Sequence, residues 1–189
     1  MFQRETPRLV LRDWTESDLA LIEALASEPS VTRYQTRLRV AGADGCRRWL
    51  GAAIFHNQQD PRFAYSTAVV SKHTGSAIGW LGWGEAEDPA HGEVSFGYAL
   101  LPAEWGRGYI SEAVVAMLGF VFETLGRGSV YATCAASNLG SARVLEKSGL
   151  TLVHRWLRRD DELNLEEEHL RYRMERIDWM NRTTRNDVS

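Results

Sequence analysis

Leu100-Leu101-Pro102-Ala103-Glu104-Trp105-Gly106-Arg107-Gly108-Tyr109-Ile110-Ser111-Glu112-Ala113 reads as the end of a strand, a glycine turn and the start of a helix. Beyond Tyr109, the residues Ile110, Ala113, Val114, Met117, Leu118, Val121, Phe122 and Leu125 keep the i, i+3, i+4, i+7 rhythm of a helix with one buried face, so the helix begins at or just after the glycines. Unpaired N–H groups at a helix start carry the positive end of the helix dipole and can hold an anion by backbone alone. Gly106 and Gly108, having no Cβ, permit the dihedrals of an anion-cupping turn and let phosphate oxygens approach the main chain. Arg107 between them can add a charge-assisted contact, and the anion that suits such a turn is a pyrophosphate. A lone Gly-x-Gly also fits a flexible loop before a helix, so the rest of the chain has to decide.

Outward from this stretch, the preceding strand, Gly92 to Leu100, puts Val94, Phe96, Tyr98 and Leu100 on one face and Glu93, Ser95, Gly97 and Ala99 on the other, a face of small residues with one carboxylate. Two further strands, Phe63 to Val70 and Ser76 to Trp83, make an antiparallel meander with it. Toward the amino end, Arg8 to Arg12 alternates as a strand with its Arg ends in solvent. A helix opened by a Thr15/Asp18 capping box runs to Pro29, an irregular link spans Ser30 to Val40, and a second helix spans Ala41 to Phe55. Toward the carboxyl end, Ser129 to Ala135 is a strand and Asn138 opens a helix that Gly149 closes. Leu150 to Arg158 and His169 to Glu175 are closing strands around an acidic loop, Asp160-Asp161-Glu162 with Glu166-Glu167-Glu168. That loop reads as solvated, although it could also draw in a cationic partner. The tail from Asn181 to Ser189 has almost no apolar content and is expected to be disordered, leaving one domain over residues 1–180.

The length, 189 residues, suits a single hydrophobic core, and 44% hydrophobic with 25% charged residues is the balance of a soluble globular protein. A formal net charge of −3 gives no electrostatic case for nucleic acid or an anionic membrane. Cys46 and Cys134 are too few for a disulfide framework or a zinc cluster and stand among apolar neighbours, as reduced core thiols do, which points to the cytoplasm. No metal is expected, because the histidines lack ligand spacing. Trp80 and Trp83, three residues apart on a strand, point to opposite faces, so at most one lines a site.

Five blocks carry a resemblance: Thr6-Pro7-Arg8-Leu9-Val10-Leu11-Arg12, Gly92-Glu93-Val94-Ser95-Phe96-Gly97-Tyr98, Trp105 to Ala113, Asn138 to Gly149, and Tyr172-Arg173-Met174-Glu175-Arg176-Ile177-Asp178-Trp179. In order and content they resemble a GNAT-superfamily N-acetyltransferase, of the branch that includes the ribosomal-protein alanine acetyltransferases. One departure is Ala103, where the family often has Gln or Arg three residues before its first glycine. The resemblance implies an α+β GNAT fold, with a mixed and mostly antiparallel sheet of six to seven strands flanked by about four helices. It implies acetyl-CoA as donor and a primary amine as acceptor: a protein N-terminus, an amino acid or another small amine. The pantetheine arm would pair with backbone groups of Ala99, Leu100 and Leu101, and the pyrophosphate would sit on N–H groups of Trp105, Gly106, Arg107, Gly108, Tyr109, Ile110 and Ser111. Asn138 and Ser141 would contact the pantetheine arm.

Acetyl transfer from a thioester needs a neutral amine, a stabilised oxyanion and a proton for the thiolate. Glu93 is the candidate general base, Ser141 the candidate proton donor, and a main-chain N–H in residues 97–101 the oxyanion donor. Asn138 and Ser141 also have a plain account as helix-capping residues, and Glu93 as a solvated strand-end glutamate. Relatives are often dimers, so a homodimer is possible. The competing class is a non-catalytic acyl-CoA-binding module that acts through a protein partner. A nucleotide-binding reading is weakened by the lack of a Walker lysine and of a Gly-x-Gly-x-x-Gly series.

Overall fold

A computed structural model describes residues 1–39, 42–85, 93–160 and 165–186. Eight strands run in the order β1-β2-β3-β4-β5-β6-β8-β7. They are β1 Gln3–Glu5, β2 Leu9–Asp13, β3 Ala64–Ser71, β4 Ala77–Glu85, β5 Glu93–Leu100, β6 Ser129–Ala135, β7 Thr151–Asp160 and β8 Leu165–Glu175. Six α-helices accompany them: α1 Leu19–Ser27, α2 Pro29–Thr32, α3 Gly42–Asn57, α4 Tyr109–Gly119, α5 Leu139–Lys147 and α6 Arg176–Asn186. The β1/β2, β2/β3, β3/β4, β6/β8 and β7/β8 pairs are antiparallel and β5/β6 is parallel, the mixed, mostly antiparallel α+β sheet expected. The count exceeds the six to seven strands and four helices read from sequence. β1 is only three residues long and α2 only four, too short to show a period.

The chain, read as one domain, gathers into two compact units whose boundary runs through β5: residues 1–84 with 97–116, and residues 85–96 with 117–189. In the first, the stripe of α1 (Leu21, Ile22, Leu25) and that of α3 (Cys46, Leu50, Ala53) pack with Ala68, Val70, Trp80 and Ala99 of the sheet into one core. Asp18 accepts from both the N–H and the hydroxyl of Thr15, at 2.9 Å each, which fixes the approach to α1. Pro29 stops that helix at Ser27 and becomes the first residue of α2. Of the Arg ends of the first strand, Arg8 is exposed as expected and Arg12 is partly buried, and both are paired. Arg12 forks onto Asp18 at 2.7 and 2.8 Å, and Arg8 binds Glu112. Val40 and Ala41 lie outside the described residues, as does the Glu85–His91 loop beyond Glu85.

In the second unit, α5 packs on β6 and β7, and α6 packs on β8. The disorder expected from Asn181 onward is corrected by α6, which continues to Asn186. Trp179, 5% exposed, stacks on Phe122 at 6.0 Å and donates its indole N–H to Glu123 at 2.9 Å. Arg182 donates to Ser148 O at 2.7 Å and to Lys147 O at 3.3 Å. Low hydropathy hid this anchoring because one aromatic and one guanidinium carry it. The acidic loop is likewise corrected in part: Glu166–Glu168 belong to β8, where Glu167 faces Arg158 and Glu166 faces Arg159 across the ladder. Asp161 and Glu162 lie outside the described residues. Among the described residues, no helix is long and apolar enough to cross a membrane, and no group of three or more His, Cys, Asp or Glu could hold a metal ion.

Candidate active site

The glycine turn takes the shape its sequence calls for. Gly106 and Gly108 have φ of +75° and +76°, the left-handed region that a side chain opposes, and α4 begins at Tyr109. Gly108 O accepts from Glu112 N–H at 3.1 Å, the first bond of the helix, which leaves the N–H groups of Tyr109, Ile110 and Ser111 without an intrahelical acceptor. Trp105 differs from the rest of the expected cradle. Its N–H is bonded to Pro102 O at 3.1 Å, and its indole donates to Leu100 O at 2.9 Å, which staples the turn to the end of β5. The Arg107 guanidinium pairs with Glu104 at 3.3 Å.

Behind the turn stands a group the sequence did not single out. Glu112, in the first turn of α4, accepts from the Thr6 hydroxyl at 2.5 Å, from the Arg8 N–H at 2.9 Å and from Arg8 Nε at 2.6 Å. Burial opposes its ionisation, but these hydrogen bonds and the Arg8 charge outweigh it and hold the carboxyl below the ordinary glutamate range. A separation of 104 residues leaves no local pattern that would pair Arg8 with Glu112.

The part of β5 leading to the turn has two distinct edges. Leu101 N–H donates to Ile78 O at 3.0 Å, and Ala99 O lies 2.4 Å from where a Cβ on Gly79 would stand, so residues 99 and 101 face β4. By the alternation of a strand, Tyr98 and Leu100 present their backbone groups to the edge away from β4. There Tyr98 O accepts from the Gln35 amide at 2.7 Å and Leu100 O from the Trp105 indole. Of the three backbone residues expected to meet a ligand arm, Leu100 faces this edge and Ala99 and Leu101 do not.

Gly97 sits under Trp80: a Cβ added there would stand 3.6 Å from the indole and 3.9 Å from the Gln35 amide nitrogen. Trp80 is held in place by its N–H bond to the Ser66 hydroxyl at 3.0 Å and by an edge contact with Trp49. Trp83 instead stacks on Tyr65 at 5.0 Å, so the two tryptophans do serve different faces. Gln35, like Arg8, was missed. It stands in the irregular link, where no period marks it.

In the second unit, Glu93 is ion-paired by Arg171 at 2.7 Å and by Arg173 at 3.2 Å, and Arg171 also lies 3.8 Å over the Tyr131 ring. Asn138 is the N-cap of α5, and its side-chain oxygen accepts from Ser141 N–H at 3.1 Å. The Ser141 hydroxyl hydrogen-bonds the Cys134 thiol. Burial raises that thiol to about 11, against which the serine bond pulls, so Cys134 stays a protonated core residue as expected. Tyr172 donates to Glu146 at 3.1 Å and is pushed up to about 12, first by burial and then by that carboxylate.

A strand ending in a left-handed glycine turn ahead of a helix, on a mixed sheet, is an anion-binding arrangement, and the sequence comparisons give the family to which it belongs. The family model described as an acetyltransferase (GNAT) domain matches residues 8–151, and the chain belongs to the GNAT acetyltransferase family. The uncharacterized N-acetyltransferase YoaA of Bacillus subtilis is 28% identical over 147 residues, covering 77% of this chain and 80% of its own. Among solved structures, the spermidine N-acetyltransferase of Vibrio cholerae in complex with CoA and spermine superposes with a TM-score of 0.78 at 16% identity, over 93% of this chain and 99% of its own. RimL, a ribosomal L7/L12 alpha-N-protein acetyltransferase in complex with coenzyme A, gives a TM-score of 0.76 at 17% identity, over 90% and 95%. The GNAT fold and an acetyltransferase activity follow from these matches.

Proposed function

We propose that the chain transfers an acetyl group from acetyl-CoA directly to a primary amine. The observation that carries the reading is the turn itself: two left-handed glycines immediately ahead of three helix-start N–H groups. A diphosphate on those amides places the pantetheine arm against the outer edge of β5, where Leu100 and Tyr98 present their backbone. The N–H groups of the same two residues are the candidates for the oxyanion. Backbone recognition of this kind tolerates side-chain changes.

The acceptor belongs over Gly97, where Trp80 and Gln35 give an aromatic face and an amide and no bulk. Of the two solved structures named above, one is a spermidine N-acetyltransferase and the other an alpha-N-protein acetyltransferase, and a primary amine is the class assigned here. Asn138 and Ser141 are assigned to the carrier arm on the resemblance. Asn138, its oxygen spent on the cap, would offer its NH2, and the Ser141 hydroxyl would turn from Cys134 to the departing thiolate. Glu93 is the base that the sequence suggests. With both oxygens held by guanidiniums, the arrangement supports a cross-strand tie better than a proton acceptor. Free, buried Cys46 and Cys134 fit a reducing compartment such as the cytoplasm.

Calorimetry with coenzyme A, then thiol release from acetyl-CoA over a panel of spermidine, amino acids and short peptides, tests the proposal. Saturable binding with turnover on at least one amine is expected. Binding without turnover on any amine leaves a non-catalytic module, and no binding removes the donor and the reading with it.

A further inference from the structure

We propose that Arg8, at the mouth of β2, is the positioning residue that aims the amide of Gly108 at the diphosphate, a role that rests on the acetyl-CoA reading above. The argument turns on one peptide plane. Arg107 O accepts from Arg8 Nη1 at 2.9 Å. Because the peptide is planar and trans, the N–H of Gly108 points opposite to that carbonyl, away from Arg8. The left-handed φ of Gly108 lets the chain turn at once into α4, so its amide joins those of Tyr109, Ile110 and Ser111. Without a donor on Arg107 O, this plane is set only by ψ of Arg107 and φ of Gly108, and Gly108, indifferent to the sign of φ, leaves it free to rotate.

Arg8 is equipped for that task from three sides. Its Nε is bonded to Glu112 Oε2 at 2.6 Å, its guanidinium lies 4.7 Å over the Tyr109 ring, and its own carbonyl accepts from Lys72 N–H at 2.9 Å. The sheet therefore holds the residue, Glu112 holds the side chain, and the remaining arm holds the turn. Glu112 also offsets the positive charge, so what reaches the ligand is chiefly an orientation. A planar fork with donors in fixed directions can bind two acceptors at once; a lysine ammonium in the same place can satisfy Glu112 or Arg107 O but does not define the angle between them.

The test compares wild type, Arg8→Gln and Arg8→Lys for binding of coenzyme A and of pantetheine, which lacks the diphosphate. Arg8→Gln is expected to weaken coenzyme A about tenfold and Arg8→Lys about threefold, with pantetheine unchanged in both. With a turned-over amine in hand, KM for acetyl-CoA rises by the same factors and kcat stays within about twofold. Equal weakening of both ligands would reduce Arg8 to a general structural part, and unchanged coenzyme A binding would remove its role outright; either overturns the proposal. Should Arg8→Gln fail to fold, Arg8→Lys, which keeps the charge beside Glu112, carries the same comparison. Wild-type protein that binds no coenzyme A overturns the acetyl-CoA reading itself, a result distinct from variants that bind it as wild type does.

Discussion

Glu93 and Arg171 are joined by a 2.7 Å ion pair that reaches across β6, whose Tyr131 ring lies 3.8 Å beneath the same guanidinium. Arg173 takes the other carboxylate oxygen at 3.2 Å. The cluster ties β5 to β8 over the strand between them, and Glu93, with a side chain only 14% exposed, is its one acidic member facing both arginines. Removing its charge takes the acidic partner from Arg171, while Arg173 keeps Glu175 at 2.9 Å. Glu93→Gln is expected to lower Tm by about 3–6 °C, the equivalent of about 1–2 kcal/mol for a chain of this size, while kcat keeps its pH profile. A thermal melt and a pH–rate series read the two effects separately; a kcat that falls steeply with an unchanged melt would restore Glu93 as the base.

Gly97 tests the acceptor side. A methyl there meets Trp80 and the Gln35 amide only at ordinary contact distances, 3.6 and 3.9 Å, so Gly97→Ala is expected to fold with Tm within about 2 °C of wild type. The methyl nonetheless occupies the space over β5 assigned to the amine. KM for the amine is expected to rise at least about fivefold, and KM for acetyl-CoA to stay within about twofold. Steady-state kinetics with one substrate saturating at a time gives both numbers. A rise in the donor KM alone would move the acceptor elsewhere.

Arg182 caps the far end of α5. Its two donor bonds go to Ser148 O and Lys147 O, carbonyls that the helix leaves without partners, and its charge sits at the negative end of the helix dipole. Arg182→Ala is expected to cost about 1 kcal/mol, or about 2–4 °C in Tm, and to leave coenzyme A affinity unaltered. Differential scanning calorimetry with and without ligand separates the two.

The parts of the fold legible in sequence are those with a period or a local chemical signature. The α4 stripe from Ile110 to Leu118, the Thr15/Asp18 box, Pro29 and the Asn138 cap each act within a few residues and stand where the sequence puts them, while the stripe beyond Gly119 continues in a π-helical turn, Phe120–Thr124. What escaped is long-range or singular. The β1 pairing with β2, Arg8 with Glu112, and Gln35 with Tyr98 join residues that share no local pattern, so their meeting depends on the completed sheet. The Asn181–Asn186 helix was hidden because composition averages over the two side chains, Trp179 and Arg182, that fasten it. The acidic run read as a loop because glutamate is a poor strand former. In β8 its charges are offset by Arg158 and Arg159 across the ladder and by an ion pair from Arg155 to Glu168.

Glu112 gives the turn a dependence on pH whose sign follows from its partners. Folded, the carboxyl titrates below its ordinary value, about 4.3; unfolded, it titrates at that value. A depressed carboxyl contributes stability in full above the unfolded value and loses it as pH falls through the folded one, because the proton must then break the bonds from Thr6 and Arg8. Glu112→Gln keeps the shape and removes the charge. The Tm difference between wild type and variant is therefore expected to be constant from about pH 8 to 6 and to shrink steadily below about pH 4. Other carboxylates held in the same way, Asp18 beside Arg12 among them, titrate in both proteins and cancel in the difference. Melts of the pair across that range decide the matter: a difference that stays level to pH 3 or widens on acidification would show that Glu112 does not hold the turn through its charge.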